Sequence, residues 1–461
     1  MRCGARVAAF VALGVCLVAG RGVADEIDWK QVEHEATTLL SAYIQIDTSN
    51  PPGGEAEAAK YLAAEFRKRG IASRLFEPEP GRGSVIATLA GSGEKRPIVL
   101  LNHLDVVPAI AKEWSVPPFS GTVRDGYVYG RGAIDCKGVG VVNAVAMFLL
   151  QRSGVPLKRD IIFAGTADEE VGGKLGAGWL VENHLSALGD VEFVLNEGGE
   201  IRVEDGKRVY EVAVAEKTPC WLRLTAHGKS GHGSTPPEST ATTRLIRALH
   251  RVLEREAEIE VVPEVQAFYA ALAESAAGPR RQRLADLRSA LKDEDFRREF
   301  LSDSRDAALV RNTIAPTVLN GSHKTNVIPA TAGAELDCRL LPGQSPDAFV
   351  RSIKSTIDDR EIDVEVVLNF PPSSSPADTE LFEAIRTIAS GEDASIVPSV
   401  LRGFTDSHFF REKGIVSYGF TPFDLTSDDL GRMHGIDERI STENLREAIR
   451  RLVELLRLVG S

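Results

Sequence analysis

Short apolar runs alternate with segments of helical length between residues 97 and 197. The runs PIVLLNHLDVV, DIIFAGTA and VEFVLNEGG are typical of buried strands, whereas KGVGVVNAVAMFLLQRSG and LGAGWLVENHL predict helices between them. Strands that alternate with helices in this way form a mainly parallel sheet that is covered on both faces. The sequence therefore predicts an α/β fold built on a doubly wound, mainly parallel sheet.

The pattern changes from about residue 212. Strand-like segments such as TAGAELDCRLLPG and IDVEVVLNF then alternate with helical ones, which predicts an inserted α+β domain. We predict a catalytic domain made of residues 25–211 and 373–461, with the insert at 212–372. Residues 252–311 are charged and helical in pattern, so we expect extra helices in the insert, where they would cover its outer surface.

The first 24 residues have the composition of a secretory signal. Arg2 and Arg6 precede an apolar stretch near 7–19, and small residues precede Asp25. We therefore predict residues 1–24 to be a cleaved signal peptide and the mature protein to be secreted or periplasmic, with no membrane attachment after cleavage. Cys16 follows Val15, which is a poor residue before a lipidated cysteine, so we do not expect a lipoprotein anchor.

Charge and cysteine content limit the partners. The chain has 54 basic and 66 acidic residues, a net charge of −12, which argues against nucleic acid or an anionic membrane surface as a partner. Beyond the predicted signal, the cysteines are Cys136, Cys220 and Cys338. Three cysteines are too few for a disulfide framework, and the sequence leaves open whether any two of them pair.

Acidic residues and a histidine follow three predicted strands. LLNHLDVV contains His103 and Asp105, GTADEEVGG contains Glu169 and Glu170, and LNEGG contains Glu197. In an open parallel sheet the carboxyl ends of strands form the ligand crevice, so we expect these side chains to converge. Asp135 in GRGAIDCKG and His434 in RMHGIDE would add two more ligands.

Imidazole and carboxylate groups of this kind suit zinc or a similar divalent ion. Five ligands exceed the needs of one tetrahedral ion, whereas two ions that share a bridging carboxylate would use them all. His103 and Asp105 are two residues apart on a strand, so we predict that Asp105 fixes the ring of a ligating His103. Glu169 and Glu170 should diverge, so that one binds metal while the other takes a proton from water.

Each of these features alone has an ordinary explanation. A strand histidine is usually a satisfied core residue, a run of acids usually begins a helix, and a glycine-rich loop usually forms a turn. Their occurrence together, in order and at strand ends, favours a metal centre. We keep two other hypotheses: an inactive binding protein of the same fold, and a doubly wound oxidoreductase, although no G-x-G-x-x-G stands between a strand and a helix.

The sequence resembles the metallopeptidase family that includes acetylornithine deacetylase, succinyl-diaminopimelate desuccinylase, aminoacylase and carboxypeptidase S. The matching stretches span nearly the whole mature chain in the family's order. The motif WSVPPFSG resembles the sequence of the carboxypeptidase S-like branch. They are NHLDVVP, WSVPPFSGTVRDGYVYGRGAIDCKG, ADEEVGG, NEGG, HGKSGHGSTP, TNVIPA and MHGIDERIS.

This resemblance implies two bound zinc ions, with cobalt or manganese as alternatives, on a fold with an inserted lid domain. It implies that Asp135 bridges the metals, that Glu169 is the general base and acid, and that Asp105 orients His103. The remaining metal ligands implied by the resemblance are His103, Glu170, Glu197 and His434. It also implies a cis peptide bond after Asp135.

Three lid residues match the family's substrate-binding positions. The resemblance implies that His232 stabilises the tetrahedral oxyanion, often across a dimer interface, and that Asn326 and Arg339 hold the substrate's carboxylate. For Arg339 a surface salt bridge is an equally open interpretation. Thr405 and Asp406, in GFTDSHFF, are pocket residues only by analogy with a family turn.

The expected activity follows from the same resemblance. Glutamate rather than aspartate at position 197 resembles the carboxypeptidase and deacylase members more than the aminopeptidases. We therefore predict a secreted dizinc hydrolase of small peptides or N-acyl amino acids, which cleaves the amide bond next to a free carboxylate. A dipeptidase or aminopeptidase of the same family is the alternative activity, and a homodimer is the expected assembly if the extra helices leave the lid free.

Overall fold

The computed structural model describes residues 27–204, 206–275 and 278–461. The predicted signal peptide lies outside the described residues. No helix within the described ranges has the length and apolar character needed to cross a membrane.

The elements of the first part of the chain, in order, are α1 (Trp29–Ile44), α2 (Glu55–Lys68), β1 (Ala72–Phe76), β2 (Ser84–Leu89), β3 (Ile98–His103), β4 (Val123–Arg124), β5 (Tyr127–Tyr129), α3 (Lys137–Ser153), β6 (Ile161–Thr166), α4 (Ala177–Asn183), β7 (Phe193–Asn196), β8 (Ile201–Glu204) and β9 (Lys207–Glu216). Those of the insert are β10 (Thr218–His227), β11 (Gly231–His232), α5 (Ala241–Leu253), α6 (Pro263–Ser275), α7 (Gly278–Ala285), α8 (Leu287–Ala290), α9 (Glu294–Ser302), α10 (Ser304–Leu309), β12 (Thr313–Asn320), β13 (Val327–Ile328), β14 (Thr331–Leu340), α11 (Pro346–Ile357) and β15 (Ile362–Asn369). The chain ends with α12 (Glu380–Gly391), β16 (Ser395–Leu401), α13 (Ser407–Arg411), β17 (Val416–Gly419), β18 (Asp424–Leu425), α14 (Ser427–Arg432), β19 (Arg439–Ser441) and α15 (Thr442–Gly460).

The large sheet has the order β1-β2-β6-β3-β7-β17-β9-β8-β18, with β16 also paired to β9. Its central strands β6, β3, β7 and β17 are parallel, while antiparallel pairs flank them. Every residue of β3 is buried, because successive side chains face helices on opposite sides. Leu100 packs in the cluster with α1, α2, α3, α12 and α15, and Leu101 packs in the cluster with α4 and α13. The predicted α/β class, with a mainly parallel sheet at its centre, is confirmed.

The lid is a four-stranded antiparallel sheet in the order β12-β14-β10-β15, covered on one face by α5 and α11. Its first strand begins at Thr218, after β9 has ended at Glu216 in the large sheet. The predicted boundary at 211/212 therefore falls inside β9. The segment YEVAVAEKTPCWLRLTAHG is two strands in two different sheets, and alternation alone does not reveal the crossing between them.

Lys217 is the single residue between these two sheets, and it is buried. Its Nζ lies 2.8 Å from the carbonyl oxygens of Ala308 and Arg311. Ala308 belongs to α10, the last of the extra helices, and Arg311 follows that helix. Burial, together with the positive charge of nearby arginines, lowers the pKa of Lys217 to about 7. The crossing into the lid is thus fixed to the extra helices.

The extra helices α6–α10 pack differently from the expectation. Phe268, Leu287 and Phe300 share a hydrophobic cluster with Val397 and Val400 of β16, which belongs to the catalytic sheet. The segment therefore extends the catalytic domain rather than the outer surface of the lid. Sequence order does not reveal this packing. The segment lies between the lid elements α5 and β12 along the chain, but it packs on the large sheet of the catalytic domain.

Candidate metal centre

The ends of three neighbouring parallel strands bring the predicted ligands together. β3 ends at His103, and β6 and β7 lie on either side of it. Glu169 and Glu170 follow β6, and Glu197 follows β7 directly. The carboxyl edge of the sheet therefore presents acids on both sides of one buried imidazole.

Asp135 stands between two histidines that come from opposite ends of the chain. His103 Nε2 lies 2.8 Å from Asp135 Oδ1 and 3.4 Å from Glu197 Oε1. His434 Nε2 lies 3.1 Å from Asp135 Oδ2 and 3.3 Å from Glu170 Oε2. Each carboxylate oxygen of Asp135 thus faces a different imidazole, and the peptide bond between Asp135 and Cys136 is cis.

These side chains form two sets that share Asp135. One set contains His103, Asp135 and Glu197, and the other contains Asp135, Glu170 and His434; the possible ligand atoms of each set lie within 4.8 Å of one another. The Cys136 thiol also lies in the first set. Glu170 Oε1 is buried and has no hydrogen-bond partner within the described residues, as expected for an oxygen directed at a cation. This donor set fits two divalent ions joined by a carboxylate.

The electrostatics of the cluster favour cations in the same place. Burial raises the pKa of Glu197 to about 7, and burial together with the charge of Glu197 raises the pKa of Glu169 well above its usual value. Hydrogen bonding to Asp135 raises the pKa of His434 to about 10. Crowded, desolvated carboxylates are costly unless positive charge stands among them, and bound metal ions would provide that charge.

Asp105 supports the site in more ways than the sequence predicts. His103 Nδ1 lies 2.9 Å from the backbone oxygen of Asp105 and 3.5 Å from its Oδ1, so the carbonyl is the nearer acceptor for the ring proton. The Asp105 carboxylate also accepts the backbone N–H groups of Glu169 and Glu170, each at 3.1 Å. It therefore orients the turn Glu169–Val171, called the acidic turn below, as well as the imidazole.

The acidic turn itself explains the sequence GTADEEVGG. Glu169–Val171 form one turn of 3₁₀ helix, in which Glu169 is buried and Glu170 reaches His434. Gly173 follows in the left-handed region with φ 68°, and a Cβ atom there would lie 2.2 Å from Asp406 Oδ1. A glycine is required at this position by both conformation and space.

Glu438 is a supporting residue that the motif MHGIDERIS contains but that sequence reasoning did not single out. Its fully buried carboxylate accepts the backbone N–H groups of Gly132, Ile134 and Asp135 at 2.8–3.1 Å and pairs with Arg131 at 2.8 Å. It therefore holds the loop that carries the shared carboxylate. Its position four residues after His434 was the available signal, but a side chain that accepts hydrogen bonds from backbone amides leaves no pattern in the sequence.

A second buried network supports the acidic turn through Asp105 and through Asp168, the residue before the turn. Asn50 Nδ2 donates to Asp105 Oδ2 at 2.8 Å, and the Arg82 guanidinium donates to Asn50 Oδ1 at 3.2 Å. Arg82 also pairs with Glu55 at 2.9 Å and with Asp168 at 2.5 Å. Asn50, Glu55 and Arg82 lie in segments that carry no recognisable motif, although their partners Asp105 and Asp168 belong to motifs.

Thr405 and Asp406 are buried behind the site. Thr405 Oγ1 donates to Glu216 at 2.6 Å and accepts from Asn196, next to Glu197, at 3.1 Å. Asp406 Oδ2 accepts the hydroxyl of Thr166 at 2.8 Å. Their contacts are with the strands that carry the ligands, which gives both residues a supporting position.

The three predicted substrate-binding residues lie on the lid. His232 and Asn326 are exposed on the paired strands β11 and β13 and the turn before β13, where the N–H of Gly233 donates to the Asn326 carbonyl at 2.8 Å. His232 Nδ1 bonds to Ser234, and within the described ranges no hydrogen bond or ion pair joins either side chain to the metal-ligand sets.

Arg339 occupies a different place in the lid, on β14. Its guanidinium forms a bidentate pair with Asp337 at 2.6 and 2.9 Å. The Cζ atom of Arg339 lies 5.0 Å from the centroid of the Phe404 ring, which belongs to the catalytic domain. It therefore stands where the lid meets the catalytic domain. The structure thus shows Arg339 in a salt bridge, the alternative that the sequence left open, and its role in substrate binding stays a prediction.

Comparison with known proteins decides the family. The model of peptidase family M20/M25/M40 matches residues 99–458. The chain belongs to this family. M20 peptidases and aminoacylases are metal-dependent hydrolases, and this chain is an enzyme of that class.

The chain is similar to two curated proteins in sequence and to one solved structure in fold. It is 34% identical over 421 residues to the N-fatty-acyl-amino acid synthase/hydrolase PM20D1 of Xenopus tropicalis, covering 87% of this chain and 80% of that protein. It is 29% identical over 368 residues to a probable carboxypeptidase S-like 2 of Dictyostelium discoideum, covering 77% and 70%. The M20 metallo-carboxypeptidase Sso-CP2 of Sulfolobus solfataricus has the same fold, with a TM-score of 0.74, 20% identity and coverage of 92% and 99%.

Substitution of Glu438 tests the support of the metal loop. We expect Glu438→Gln to lower metal affinity about 10- to 100-fold, because the buried carboxylate that holds the loop amides and Arg131 loses its charge. Equilibrium dialysis with elemental analysis measures this change. Glu443→Gln, which alters a largely exposed ion-paired glutamate nearby, is the matched control and should bind metal as the wild type does. Equal metal affinity in both variants would contradict the role of Glu438.

Proposed function

We propose that this chain hydrolyses the amide bond of N-acyl amino acids, next to the free carboxylate of the amino acid. The single observation that carries the proposal is the shared Asp135 carboxylate between His103 and His434, with the buried Glu169 nearby on the acidic turn. The printed name of the PM20D1 relative, with 34% identity, supports the choice of an N-acyl substrate.

We propose zinc as the metal, with cobalt or manganese as alternatives. His103 and Glu197 would hold one ion, Glu170 and His434 would hold the other, and Asp135 would bridge the two. When bound, the pair would supply a water molecule of lowered pKa and polarise the scissile carbonyl. The side chain of His434 is 53% exposed whereas that of His103 is 1% exposed, so the substrate would approach from the side of His434.

Glu169 would move the proton in this reaction. Its carboxylate would take a proton from water as the water oxygen bonds to the carbonyl carbon. It would then give that proton to the nitrogen as the amide bond breaks, releasing a carboxylic acid and an amino acid. Asp105 would hold Glu169 in place through the backbone of the acidic turn.

Arg339 would hold the free carboxylate of the substrate. Asp337 accepts from Nε and Nη2 of the guanidinium, so a substrate carboxylate would bind at the other edge, formed by Nη1 and Nη2, or displace Asp337. Selection for a free carboxylate is common to N-acyl-amino-acid hydrolysis and to carboxypeptidase action. The second candidate function is therefore a metallo-carboxypeptidase, which is favoured by the printed name of the carboxypeptidase S-like relative.

A product screen distinguishes these functions. N-acyl amino acids, C-terminally free dipeptides and amino-acid amides are incubated with the protein loaded with zinc, and again after chelation. We expect amino-acid release from the N-acyl substrates, loss of release after chelation and recovery on adding zinc back. Preferred release from dipeptides would favour the carboxypeptidase, and release from amides an aminopeptidase; no hydrolysis of any substrate would contradict enzymatic function and favour a binding protein.

The role of Glu169 is checked in the same assay. We expect Glu169→Gln to lower kcat by at least about 100-fold with metal content unchanged, because it removes the proton acceptor. Glu182→Gln changes an exposed glutamate on α4 and is the matched control. Substantial turnover by Glu169→Gln would remove the assigned role.

We propose that two copies pair through the lid. The extra helices pack on the catalytic sheet, and the lid's edge strand β12 exposes Leu319 at 66%, while α5 exposes Ile246 at 60%. An exposed His232 could then reach the partner's site and stabilise the oxyanion there. Light scattering should give twice the chain mass, and Leu319→Asp should shift it to the monomer; a monomeric wild type would contradict the pairing.

We also propose export of the protein through the segment 1–24. Expression in a bacterial host followed by fractionation should place the protein outside the cytoplasm, with a mature N-terminus near residue 25 by mass spectrometry. Retention of the intact N-terminus in the cytoplasm would contradict export.

A further inference from the structure

Two cysteines lie opposite each other in the sheet of the lid. In the antiparallel pair β10–β14, Pro219 lies opposite Arg339, and the same register holds on the far side, from Leu222 onward. The next residues inward from Pro219 and Arg339 are Cys220 of β10 and Cys338 of β14. The two cysteines therefore face each other across the ladder. The reaction proposed above uses neither thiol.

Both cysteine side chains point to the same face of the lid sheet. They belong to the hydrophobic cluster that this face forms with α5 and α11, which also contains Leu222 of β10 and Leu336 of β14. Because side chains alternate along a strand, residues two positions apart share a face. Cys220 and Cys338 are each 0% exposed, so the two thiols are enclosed side by side in the core of the lid.

The spacing of an antiparallel ladder brings such a pair within reach of a covalent bond. Directly opposite residues have Cα atoms about 4.5 or 5.5 Å apart, and a disulfide joins residues whose Cα atoms are about 4.4–6.8 Å apart. Burial raises the pKa of Cys338 well above its usual value, and the nearby Cys220 thiol raises it further. Both cysteines are free thiols in the structure, and a bond between them needs no change of register.

The third described cysteine has a different environment. Cys136 is buried in the catalytic domain, where its thiol lies within the first metal-ligand set. The sequence leaves open which cysteines pair. Among the residues that the structure describes, the one pair of cysteines that lie opposite each other is Cys220 and Cys338.

We propose that Cys220 and Cys338 form a cross-strand disulfide when the chain folds in an oxidising compartment. The reaction is thiol–disulfide exchange with an external disulfide, either glutathione disulfide or the disulfide of an oxidoreductase. One cysteine thiolate attacks the external disulfide and releases one thiol, and the second cysteine thiolate attacks the resulting mixed disulfide and releases the other. Two protein thiols and one external disulfide become one protein disulfide and two external thiols, which carry the two protons.

The bond forms before the lid is fully packed. Burial raises the pKa of Cys220 to about 11, so the folded protein holds little of the thiolate that attacks a disulfide. In the unfolded chain the same thiols are accessible and have pKa values of about 8.5. A bond made at that stage is later enclosed by α5 and α11, which protects it from reductants in the folded protein.

The bond joins the two central strands of the lid and closes a long loop, residues 221–337, that contains the extra helices. A disulfide that closes a long loop restricts the unfolded chain and so stabilises the fold. Trp221 and Arg339 follow the two cysteines on the other face of the sheet, where the Arg339 Cζ atom lies 5.5 Å from the centroid of the Trp221 ring. The bond therefore also fixes the strands that carry this pair.

Peptide mapping tests for the bond. The full chain is produced in a bacterial host with an oxidising cytoplasm, so that the result is independent of export, and its free thiols are alkylated in denaturant before digestion. Trypsin places the two cysteines in the peptides 218–223 and 325–339. We expect one linked species, lighter than the sum of these peptides by two hydrogen atoms, and an alkylated Cys136. Recovery of both peptides in alkylated form, or linked to other cysteines, would overturn the proposal.

Thermal unfolding measures the contribution of the bond. The unfolded, reduced chain is refolded either in a glutathione redox buffer or in dithiothreitol, and both preparations are then transferred to the same zinc-containing buffer without thiols. We expect the first preparation to have a Tm higher by about 5 °C. The variant Cys220→Ala/Cys338→Ala is the control, and its two preparations should unfold at the same temperature. Equal Tm values for the two wild-type preparations, or an equal difference in the variant, would contradict the stabilising bond.

Discussion

The position of the Asp135 carboxylate between two imidazoles is the constraint on which the catalytic half of the molecule depends. Two histidines separated by most of the chain must reach opposite oxygens of one side chain, and the distances of 2.8 and 3.1 Å leave little tolerance. The buried Glu438 carboxylate fixes the loop of Asp135 by binding its backbone amides. Because Glu438 lies just after His434, one segment positions both the Asp135 carboxylate and the second imidazole.

The acids that support the centre from outside the two ligand sets, Asp105, Glu438, Glu55 and Asp168, are held by backbone amides or by a buried arginine rather than by solvent. Asp105 binds the amides of the acidic turn, and Arg82 pairs with both Glu55 and Asp168. Such arrangements are costly to build, because buried charges need complete partners. The contacts of Asp105 and Arg82 therefore indicate that buried protein groups define the positions of Glu169 and Glu170.

The sequence predicts those parts of the structure that depend on local pattern. The buried strands ending at His103, Thr166 and Asn196 could be found from apolar runs, and the meeting of the acids that follow them is a property of parallel sheets. The passage from β9 to β10 could not be found, because a strand that leaves one sheet for another keeps its alternation. Likewise, the packing of Phe268 and Phe300 on β16 depends on contacts between segments about one hundred residues apart, for which a single sequence has no signal.

The buried Lys217 has a mechanical consequence. The polypeptide passes from the catalytic sheet into the lid through this one residue, whose ammonium group is anchored to carbonyls at the end of the extra helices. Lys217 therefore ties three parts of the molecule together at one point: the end of the catalytic strand β9, the start of the lid strand β10 and the last of the extra helices. A displacement of the lid at this crossing would have to carry the extra helices with it or break both hydrogen bonds of the lysine.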